Sequence, residues 1–321
     1  MDEVRLLVLA DPAVPQLGRL ERLRGVRVTA GGTRDEVAAA AVEADVILVW
    51  FGAAGMLREI WPRATRAVWV HSMAAGLDHL LFPELAESPA ALTNGRGVFS
   101  QSLAEFAIGA VLFFAKDFRR MLRSQARGAW EPFDVEVVGG RTLGIVGYGD
   151  IGRAVARRAR SLDMRVLALR REPARSAGDP LLDQVFAPEA RFDLLARSDY
   201  VVVSAPLTEE TRGLLGRPEI AALKPSAVVV NVGRGPVILE AALVEALERG
   251  RIRGAALDVF ETEPLPPGHP FYRLENVLLS PHCADHTGDW LDQAMDFFIE
   301  NFERFRKGAP LQNVVDKRKG Y

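Results

Sequence analysis

Cysteine is almost absent from the sequence, which has Cys283 as its only thiol in 321 residues. One cysteine cannot form an intramolecular disulfide, so we expect a protein of the reducing cytoplasm. Long apolar runs are lacking too: FAIGAVLFFAK at 106–116 is shorter than the roughly 20 residues that cross a bilayer. The acidic start, MDEVRLLVLAD, indicates a strand rather than a signal peptide. We therefore expect no membrane partner.

Neither sign of charge is in excess, because 40 basic residues face 42 acidic ones and the net charge is −2. Nucleic-acid binding requires a basic patch, so we expect no nucleic-acid partner. No group of His, Cys and Asp residues has metal-ligand spacing, so we predict no metal site. The composition, 49% hydrophobic and 26% charged, is that of a globular chain, and its length suits two domains.

Short apolar runs alternate with amphipathic stretches along most of the chain, which is typical of parallel βαβ units. The runs are apolar throughout, as strands covered by helices on both faces must be. We predict an α/β fold with two doubly wound parallel sheets. The predicted strands are 5–10, 26–29, 45–50 and 67–72, then 142–147, 164–169, 200–205, 227–232, 254–259 and 276–280. The clearest predicted helices between them are 34–44, 153–163 and 240–250.

Two further helices bear on the domain boundary. Residues 103–125 contain no breaker and predict one long helix before the second series of strands, while residues 288–308 predict a C-terminal helix. A C-terminal helix can pack back on the first half of the chain. We therefore expect a discontinuous first domain, residues 1–98 with 286–321, around a second domain of residues 99–285.

The segment GIVGYGDIG at 144–152 contains the strongest motif, a strand followed by three spaced glycines and a helix. Gly147 permits the tight turn, Gly149 lets the backbone approach a pyrophosphate, and Gly152 lets the helix pack closely on the strand. The helix N-terminus offers N–H groups to the anion. In this context the motif predicts a dinucleotide site, which includes the intervening Tyr148, Asp150 and Ile151.

The next strand ends in two arginines, in VLALRREP at 166–173. An NAD site normally has an Asp or Glu there to accept hydrogen bonds from the adenosine ribose, and Arg170 occupies that place. A guanidinium cannot accept those bonds, but it can bind a 2′-phosphate. Arg170 and Arg171 therefore favour NADP(H), with NAD(H) as the alternative if both arginines are only solvated loop residues.

Three stretches follow later strands of the same series. NVGRG at 231–235 contains Arg234, DVFETEPLP at 258–266 contains Glu263, and SPHCADHT at 280–287 contains His282. The carboxyl ends of parallel strands face the ligand crevice, so all three would lie near the nicotinamide. A histidine tuned by a carboxylate suits proton transfer, and an arginine suits binding of a substrate carboxylate. Each residue alone also has a purely structural interpretation; their common order after the glycine loop favours catalysis.

With these residues in view, the sequence resembles the D-2-hydroxyacid dehydrogenase family over essentially its whole length, and most of all its NADPH-preferring glyoxylate/hydroxypyruvate reductases. The matching motifs are SMAAGLDHL, TNGRG, AEFAIGAVL, TLGIVGYGDIG, SAPLTEETRGLL, NVGRG, ALDVFETEPLP and SPH. The resemblance implies a Rossmann cofactor domain and a flavodoxin-like substrate domain. It also implies that His282 is the acid/base, Glu263 its partner and Arg234 the substrate anchor.

Further roles are implied only by the resemblance. The backbone N–H groups of Ala75 and Gly76 would help to hold the substrate carboxylate. His71 precedes them in what we take as the substrate loop, although we expect His71, like His79, His269 and His286, to be structural or peripheral. Asp258 would contact the nicotinamide carboxamide. A homodimer would form through the cofactor domain and the helix at 103–125, with Trp130 reaching the partner's active site. The other residues assigned to the cofactor cleft are Ala205, Pro206, Thr211, Val232 and Gly233.

The leading hypothesis is an oxidoreductase that transfers a hydride from NADPH to glyoxylate or hydroxypyruvate. An NAD-dependent dehydrogenase of bulkier apolar D-2-hydroxy acids is the alternative among enzymes. A redox-sensing binding module, as in the related corepressors, is the alternative outside enzymes. Formate dehydrogenase is disfavoured because Glu263, rather than glutamine, would pair with His282.

Overall fold

The computed structural model describes residues 3–320, which divide into two compact units. One unit contains the chain up to Phe99 together with the chain from Thr287 onwards, and the other is Ser100–His286. Each unit has its own parallel sheet. The predicted α/β class with two parallel sheets is confirmed.

The strands are β1 Val4–Leu9, β2 Val26–Gly31, β3 Val46–Val49, β4 Trp69–Ser72, β5 Ala91–Asn94, β6 Thr142–Val146, β7 Arg165–Leu169, β8 Gln184–Phe186, β9 Tyr200–Val203, β10 Val228–Asn231, β11 Gly254–Leu257 and β12 Val277–Leu279. The α-helices are α1 Arg34–Ala41, α2 Ala54–Ile60, α3 Pro83–Glu87, α4 Ser100–Ala115, α5 Phe118–Ala126, α6 Asp150–Ser161, α7 Arg191–Arg197, α8 Arg217–Ala221, α9 Glu240–Glu248 and α10 Trp290–Arg306. Short 3-10 helices are Pro15–Arg22, Trp61–Arg63, Pro173–Ser176, Pro188–Ala190, Gly235–Val237 and Pro270–Tyr272.

The first unit has a five-stranded sheet in the order β2-β1-β3-β4-β5, the order of flavodoxin-like folds. Its central strand β3, Val46–Val49, is buried along its whole length, which explains why this strand contains no polar residue. The C-terminal helix α10 packs on β4, where Trp69 stacks on Phe298 with ring centroids 5.5 Å apart. The end of the chain therefore completes the core of the first unit.

The second unit has a seven-stranded sheet in the order β12-β11-β10-β9-β6-β7-β8. Counted from β6, this is the Rossmann order 3-2-1-4-5-6 with one strand added at the edge. The order reverses between β6 and β9, so a crevice opens beyond the carboxyl ends of these two strands. The glycine loop follows β6 directly and therefore lies at that crevice.

The prediction of one continuous helix over residues 103–125 is wrong. The chain forms α4 and α5 with a break at Asp117, whose φ of 50° and ψ of 51° are left-handed. Asp117 tolerates this conformation and its carboxylate accepts the N–H of Arg120 at 3.3 Å, which caps α5. At the end of α4, the carbonyl of Phe114 accepts a hydrogen bond from Arg253, which lies far along the chain.

Two strands escaped the sequence analysis, β5 and β8, and each lies at the edge of its sheet. Both are short, with four and three residues, and so carry little apolar pattern. Edge strands are commonly short because long exposed edges invite aggregation. β5 and β8 form because they pair with the neighbouring strands β4 and β7, and not because their own sequences have a strong strand pattern.

Candidate active site

The predicted catalytic stretches converge because three adjacent strands end at the same edge of the second sheet. β10, β11 and β12 are parallel neighbours, and the stretches containing Arg234, Asp258 and His282 follow them in that order. A backbone hydrogen bond of 2.9 Å from His282 N–H to the carbonyl of Asp258 joins the last two. The sheet therefore brings together residues that are up to 48 positions apart in sequence, from 234 to 282.

His282 and Glu263 form the central pair of this edge. Nδ1 of His282 lies 2.6 Å from Oε2 of Glu263, while Oε1 of Glu263 accepts the N–H of Phe260 at 2.9 Å. The hydrogen bond to Glu263 raises the pKa of His282, although burial opposes the shift. Burial alone would raise the pKa of Glu263, but hydrogen bonds from His282 and the Phe260 N–H, with the charge of Arg234, hold it below its usual value. The pair therefore favours an imidazolium beside a carboxylate.

Asp258 is buried and organises the loop that contains His282. Its Oδ1 accepts hydrogen bonds from the Ser280 hydroxyl at 2.5 Å and from the N–H groups of Cys283 and Ala284 at 3.0 Å each. His282 has a left-handed φ of 51°, which is uncommon for a side chain of this size. The bonds to Asp258 hold this conformation and so set the direction of the imidazole. The predicted contact of Asp258 with the nicotinamide stays a prediction.

Arg234 lies in the turn after β10, which the side chain of Asn231 closes. Nδ2 of Asn231 donates to the Arg234 carbonyl at 3.1 Å, and Oδ1 accepts the N–H of Gly233 at 3.1 Å. The Arg234 guanidinium donates to the Gly233 carbonyl at 2.9 Å. The sequence analysis missed Asn231, although a polar residue that ends an apolar strand beside Gly-Arg-Gly was an available signal.

The glycine loop has the geometry that a dinucleotide requires. Gly147 has a left-handed φ of 94°, and a Cβ there would lie 2.5 Å from the backbone nitrogen of Ala205. A Cβ on Gly152 would lie 2.6 Å from the Gly147 carbonyl, so this glycine is required for packing of α6 on β6. A Cβ on Gly149 would meet nothing within 4 Å, and Gly149 caps α6 without a side chain. Open space therefore lies in front of a helix N-terminus, which suits a pyrophosphate.

Between these glycines, Tyr148 is buried and its hydroxyl donates to Asp179 at 3.0 Å. Burial and this hydrogen bond raise the pKa of Tyr148, so it stays a neutral phenol. Asp150 and Ile151 open α6 and are exposed and half-buried respectively. Tyr148 therefore anchors the loop, while Asp150 and Ile151 are the residues of the first helical turn.

Arg170 and Arg171 follow β7 at the same edge of the sheet. Nη1 of Arg170 donates to the hydroxyl of the buried Ser176 at 2.6 Å, which directs the guanidinium along the loop. Arg171 forms an ion pair of 2.8 Å with Glu210, and the two side chains are 35% and 69% exposed respectively. The two arginines therefore differ in their partners. Arg170 is held by a neutral hydroxyl, whereas Arg171 is paired with a carboxylate that would compete with a bound phosphate.

The remaining cofactor candidates lie on loops after β9 and β10. Ala205 is buried against Gly147, and the Thr211 hydroxyl donates to the carbonyl of Pro206 at 2.6 Å. Val232 donates its N–H to Val203 of β9 at 3.0 Å, and Gly233 follows it. These residues border the crevice where the strand order reverses, and their contacts with a cofactor stay predictions.

Ala75 and Gly76 belong to the first unit, in the loop after β4. The carbonyl of Ala75 accepts a hydrogen bond of 2.6 Å from Asn94, which ties this loop to the end of β5. His71 lies inside β4 and is fully buried, so it is a structural residue as expected, but its placement in the substrate loop is wrong. Burial lowers its pKa to about 3, and its Nδ1 lies 2.7 Å from the Thr93 hydroxyl. His71 is thus a neutral residue of the core.

The described part of the chain contains neither a candidate metal-binding cluster nor a candidate membrane-spanning helix. Among residues 3–320, no three or more His, Cys, Asp and Glu side chains form a group that could hold a metal ion. Within the same range, no helix combines the length and the apolar character needed to cross a bilayer.

The chain matches the model of the D-isomer specific 2-hydroxyacid dehydrogenase NAD-binding domain over residues 108–284, more than half of its length. The chain belongs to the D-isomer specific 2-hydroxyacid dehydrogenase family. The resemblance found from the motifs is thereby confirmed. The matched region contains the glycine loop, both arginines after β7 and the whole Arg234, Glu263 and His282 set.

Individual members of this family resemble the chain over most of its length. A glyoxylate reductase of Korarchaeum cryptofilum is 36% identical over 271 residues, which cover 81% of this chain and 79% of that protein. A D-3-phosphoglycerate dehydrogenase of Methanocaldococcus jannaschii is 33% identical over 98% of this chain, but the match spans only 59% of that longer protein.

A solved structure of the family has the same architecture. The NADPH-dependent glyoxylate/hydroxypyruvate reductase of Sinorhizobium meliloti, in complex with NADP and sulfate, is 26% identical with a TM-score of 0.85. The alignment covers 99% of this chain and all of that one. The two chains therefore share the same overall architecture.

Proposed function

We propose that the chain reduces a small 2-keto acid, glyoxylate or hydroxypyruvate, to the D-2-hydroxy acid with NADPH. The observation that carries this proposal is the 2.6 Å pair of His282 and Glu263 at the same sheet edge as Arg234. Such a set provides a proton donor and a carboxylate anchor beside a dinucleotide loop. Reduction of a 2-keto acid requires these two functional groups beside the nicotinamide.

His282 and Arg234 have different roles in the proposed reduction. The bound nicotinamide supplies the hydride. His282 donates a proton to the substrate carbonyl oxygen from Nε2, because Nδ1 is engaged by Glu263. The raised pKa of His282 keeps that proton in place near neutral pH. Arg234 holds the substrate carboxylate through its forked donors and places the carbonyl carbon for attack.

NADPH as the preferred cofactor follows from the end of β7. Position 170, where an acid would bind the ribose of NAD, has an arginine that a neutral hydroxyl holds in place. Arg171 adds a second guanidinium for the 2′-phosphate once it leaves Glu210. The NADPH dependence of the Sinorhizobium meliloti enzyme supports the same choice. Use of NAD(H) is the alternative.

A small substrate is supported by the similarity of the chain to glyoxylate and glyoxylate/hydroxypyruvate reductases. The competing hypotheses are a bulkier apolar 2-hydroxy acid, with NAD(H), and a binding module without enzymatic turnover. The roles of Ala75 and Gly76 in substrate binding belong to the same proposal, as does the division into a substrate-binding unit and a cofactor-binding unit.

The test is the initial rate of oxidation of NADPH and of NADH, each with glyoxylate, hydroxypyruvate, pyruvate and phenylpyruvate. We expect higher kcat/KM with NADPH and the two small acids, at turnover of about 1–1000 per second. Preference for phenylpyruvate with NADH would support the bulkier alternative. Absence of turnover with every pair, despite nucleotide binding, would support the binding module.

His282→Ala links any activity to this site. Loss of the proton donor should reduce kcat by at least about 100-fold, a typical contribution of general acid catalysis. NADPH affinity, followed by nucleotide fluorescence, should stay within about threefold, because the hydrogen bonds of His282 go to Glu263 and Asp258, which lie outside the glycine loop. The alanine variant of exposed His79, in the first unit, is the matched control and should retain full activity.

We also propose a homodimer through the second unit. Phe118, Met121 and Leu122 of α5 are 41%, 41% and 62% exposed, and Trp130 is 95% exposed on the segment that follows. Large apolar side chains rarely stay in water together on a monomer. Light scattering should give twice the mass of the chain, and Leu122→Glu should halve it. A monomeric wild-type protein would contradict the proposal.

A further inference from the structure

Asn231 is a buried polar residue whose two side-chain hydrogen bonds both serve the turn that contains Arg234. It is the last residue of β10 and only 1% exposed. A buried amide needs partners for both of its polar atoms. Here Nδ2 donates to the Arg234 carbonyl and Oδ1 accepts the Gly233 N–H, each at 3.1 Å. The side chain thus closes the turn between the strand and the arginine.

These bonds fix the peptide that joins Gly233 to Arg234. The side chain of Asn231 accepts the N–H of Gly233, which precedes this peptide, and donates to the carbonyl of Arg234, which follows it. The guanidinium of Arg234 then donates to the carbonyl of Gly233 at 2.9 Å. The group that would bind the substrate is therefore oriented from a backbone that one side chain holds at two points.

The backbone of Asn231 connects this turn with the histidine loop. Its carbonyl accepts the N–H of Asp258 at 3.1 Å, and the carbonyl of Asp258 accepts the N–H of His282 at 2.9 Å. The histidine loop is thus tied to the backbone of Asn231, whereas the arginine turn is tied to its side chain. Replacement of the side chain would therefore act on the turn that contains Arg234 and leave the link to the histidine loop in place.

We propose that Asn231 is a positioning residue for the substrate carboxylate and acts through Arg234. The inference rests on the proposed function and extends it, since it names what holds the anchor in place. Asn231 is itself buried, and both polar atoms of its side chain are bonded to the turn. Its contribution comes from pre-organisation, because misplacement of a binding group by about 1 Å can cost about 100-fold in rate.

The test is a double-mutant cycle with Asn231→Ala, Arg234→Ala and the double variant. We expect Asn231→Ala to lower kcat/KM for the 2-keto acid by about 10- to 100-fold. If Asn231 acts through Arg234, the same change in the Arg234→Ala background should cost less than about threefold. Equal losses in the two backgrounds would overturn the proposal, because the effect would then be independent of the arginine.

A binding measurement separates positioning from a general structural role. Calorimetry on the NADPH-loaded protein measures the Kd of oxamate, a carboxylate analogue of the substrate that is not reduced. Asn231→Ala should raise this Kd at least tenfold and leave the Kd of NADPH within about threefold. Equal weakening of both ligands would mean general loosening of the fold and would contradict the proposal.

The matched control is Asn276→Ala. Asn276 also donates from Nδ2 to a backbone carbonyl, that of Leu247 at 3.1 Å, but it precedes β12 at the opposite end of the sheet. This variant should retain the oxamate affinity of the wild type. If Asn231→Ala does not fold, Asn231→Ser, whose hydroxyl can still accept the Gly233 N–H, should show a smaller loss in the same direction.

The outcomes distinguish this inference from the function on which it rests. A wild-type protein that reduces keto acids and binds oxamate, with an unchanged Asn231→Ala variant, would sink the positioning role and leave the function standing. A wild-type protein that neither reduces these acids nor binds oxamate would sink both.

Discussion

Replacement of Glu263 by glutamine changes the protonation of His282 through a single atom. The carboxylate has two acceptor oxygens, one for the Phe260 N–H and one for Nδ1 of His282. Glutamine has only one acceptor oxygen, so its NH₂ group must face one of these two donors. If the amide oxygen keeps the Phe260 N–H, the NH₂ group faces Nδ1 and disfavours the imidazolium.

The size of the effect follows from the lost charge-assisted hydrogen bond. Hydrogen bonds to charged groups contribute about 1.5–3 kcal/mol. The side chains of His282 and Glu263 are 44% and 33% exposed, so water screens the pair and the lower end applies. About 1.4 kcal/mol corresponds to a factor of ten in an equilibrium constant. We therefore expect the pKa of His282 to fall in Glu263→Gln, with a loss of up to about tenfold in kcat/KM where His282 is no longer fully protonated.

The assay is kcat/KM for glyoxylate reduction by NADPH between pH 5 and pH 9. Reduction needs protonated His282, so the rate is highest at low pH and falls as pH rises through its pKa. In the wild type this fall should begin above the ordinary value of 6.5, because the pKa is raised. In Glu263→Gln it should begin at a lower pH, with up to about tenfold lower kcat/KM above both pKa values and near-normal kcat/KM at the acid end.

Glu261→Gln is the control for this variant. The carboxylate of Glu261 accepts the N–H of Glu240 at 2.9 Å, and its residue lies two positions before Glu263. This variant removes a nearby negative charge without changing the contacts of His282, so its inflection should stay at the wild-type pH. An unmoved inflection in Glu263→Gln would refute the tuning of His282 by this carboxylate.

The remaining predictions concern the cofactor. Arg170→Asp should raise the Kd of NADPH more than tenfold and hardly change that of NADH; an equal change would make the arginine a surface residue only. Glu210→Gln should tighten NADPH several-fold, because the carboxylate competes for its arginine partner, while Glu209→Gln, next to it, should not. Gly147→Ala should destabilise the fold by about 1–3 kcal/mol and lower the Tm. Gly149→Ala, with open space at its Cβ but at the N-cap of α6, should lower the Tm less than Gly147→Ala does and should weaken NADPH binding; an equal fall in Tm would contradict the open space.

Most of the sheet architecture was predictable from the sequence because its signals are local. Strands buried on both faces must be apolar throughout, so their runs are visible without any tertiary information. The prediction failed at the helix break, where no Gly or Pro stands near Asp117. Part of that break depends on Arg253, which donates to the Phe114 carbonyl 139 residues away, and such a partner has no local signature.

In the candidate site too, the local features were predictable from the sequence and the long-range contacts were not. The sequence by itself determined which residue types follow which strands, because parallel strands bring loops with Arg234 and His282 to one edge wherever the chain repeats βαβ units. Only the tertiary structure decided their partners: Asn231 under the arginine, Asp258 under the histidine loop, and Glu210 beside an arginine 39 positions earlier. Hydrogen-bond partners are set by distances of a few tenths of an ångström after packing, and the order of residues along the chain does not contain those distances.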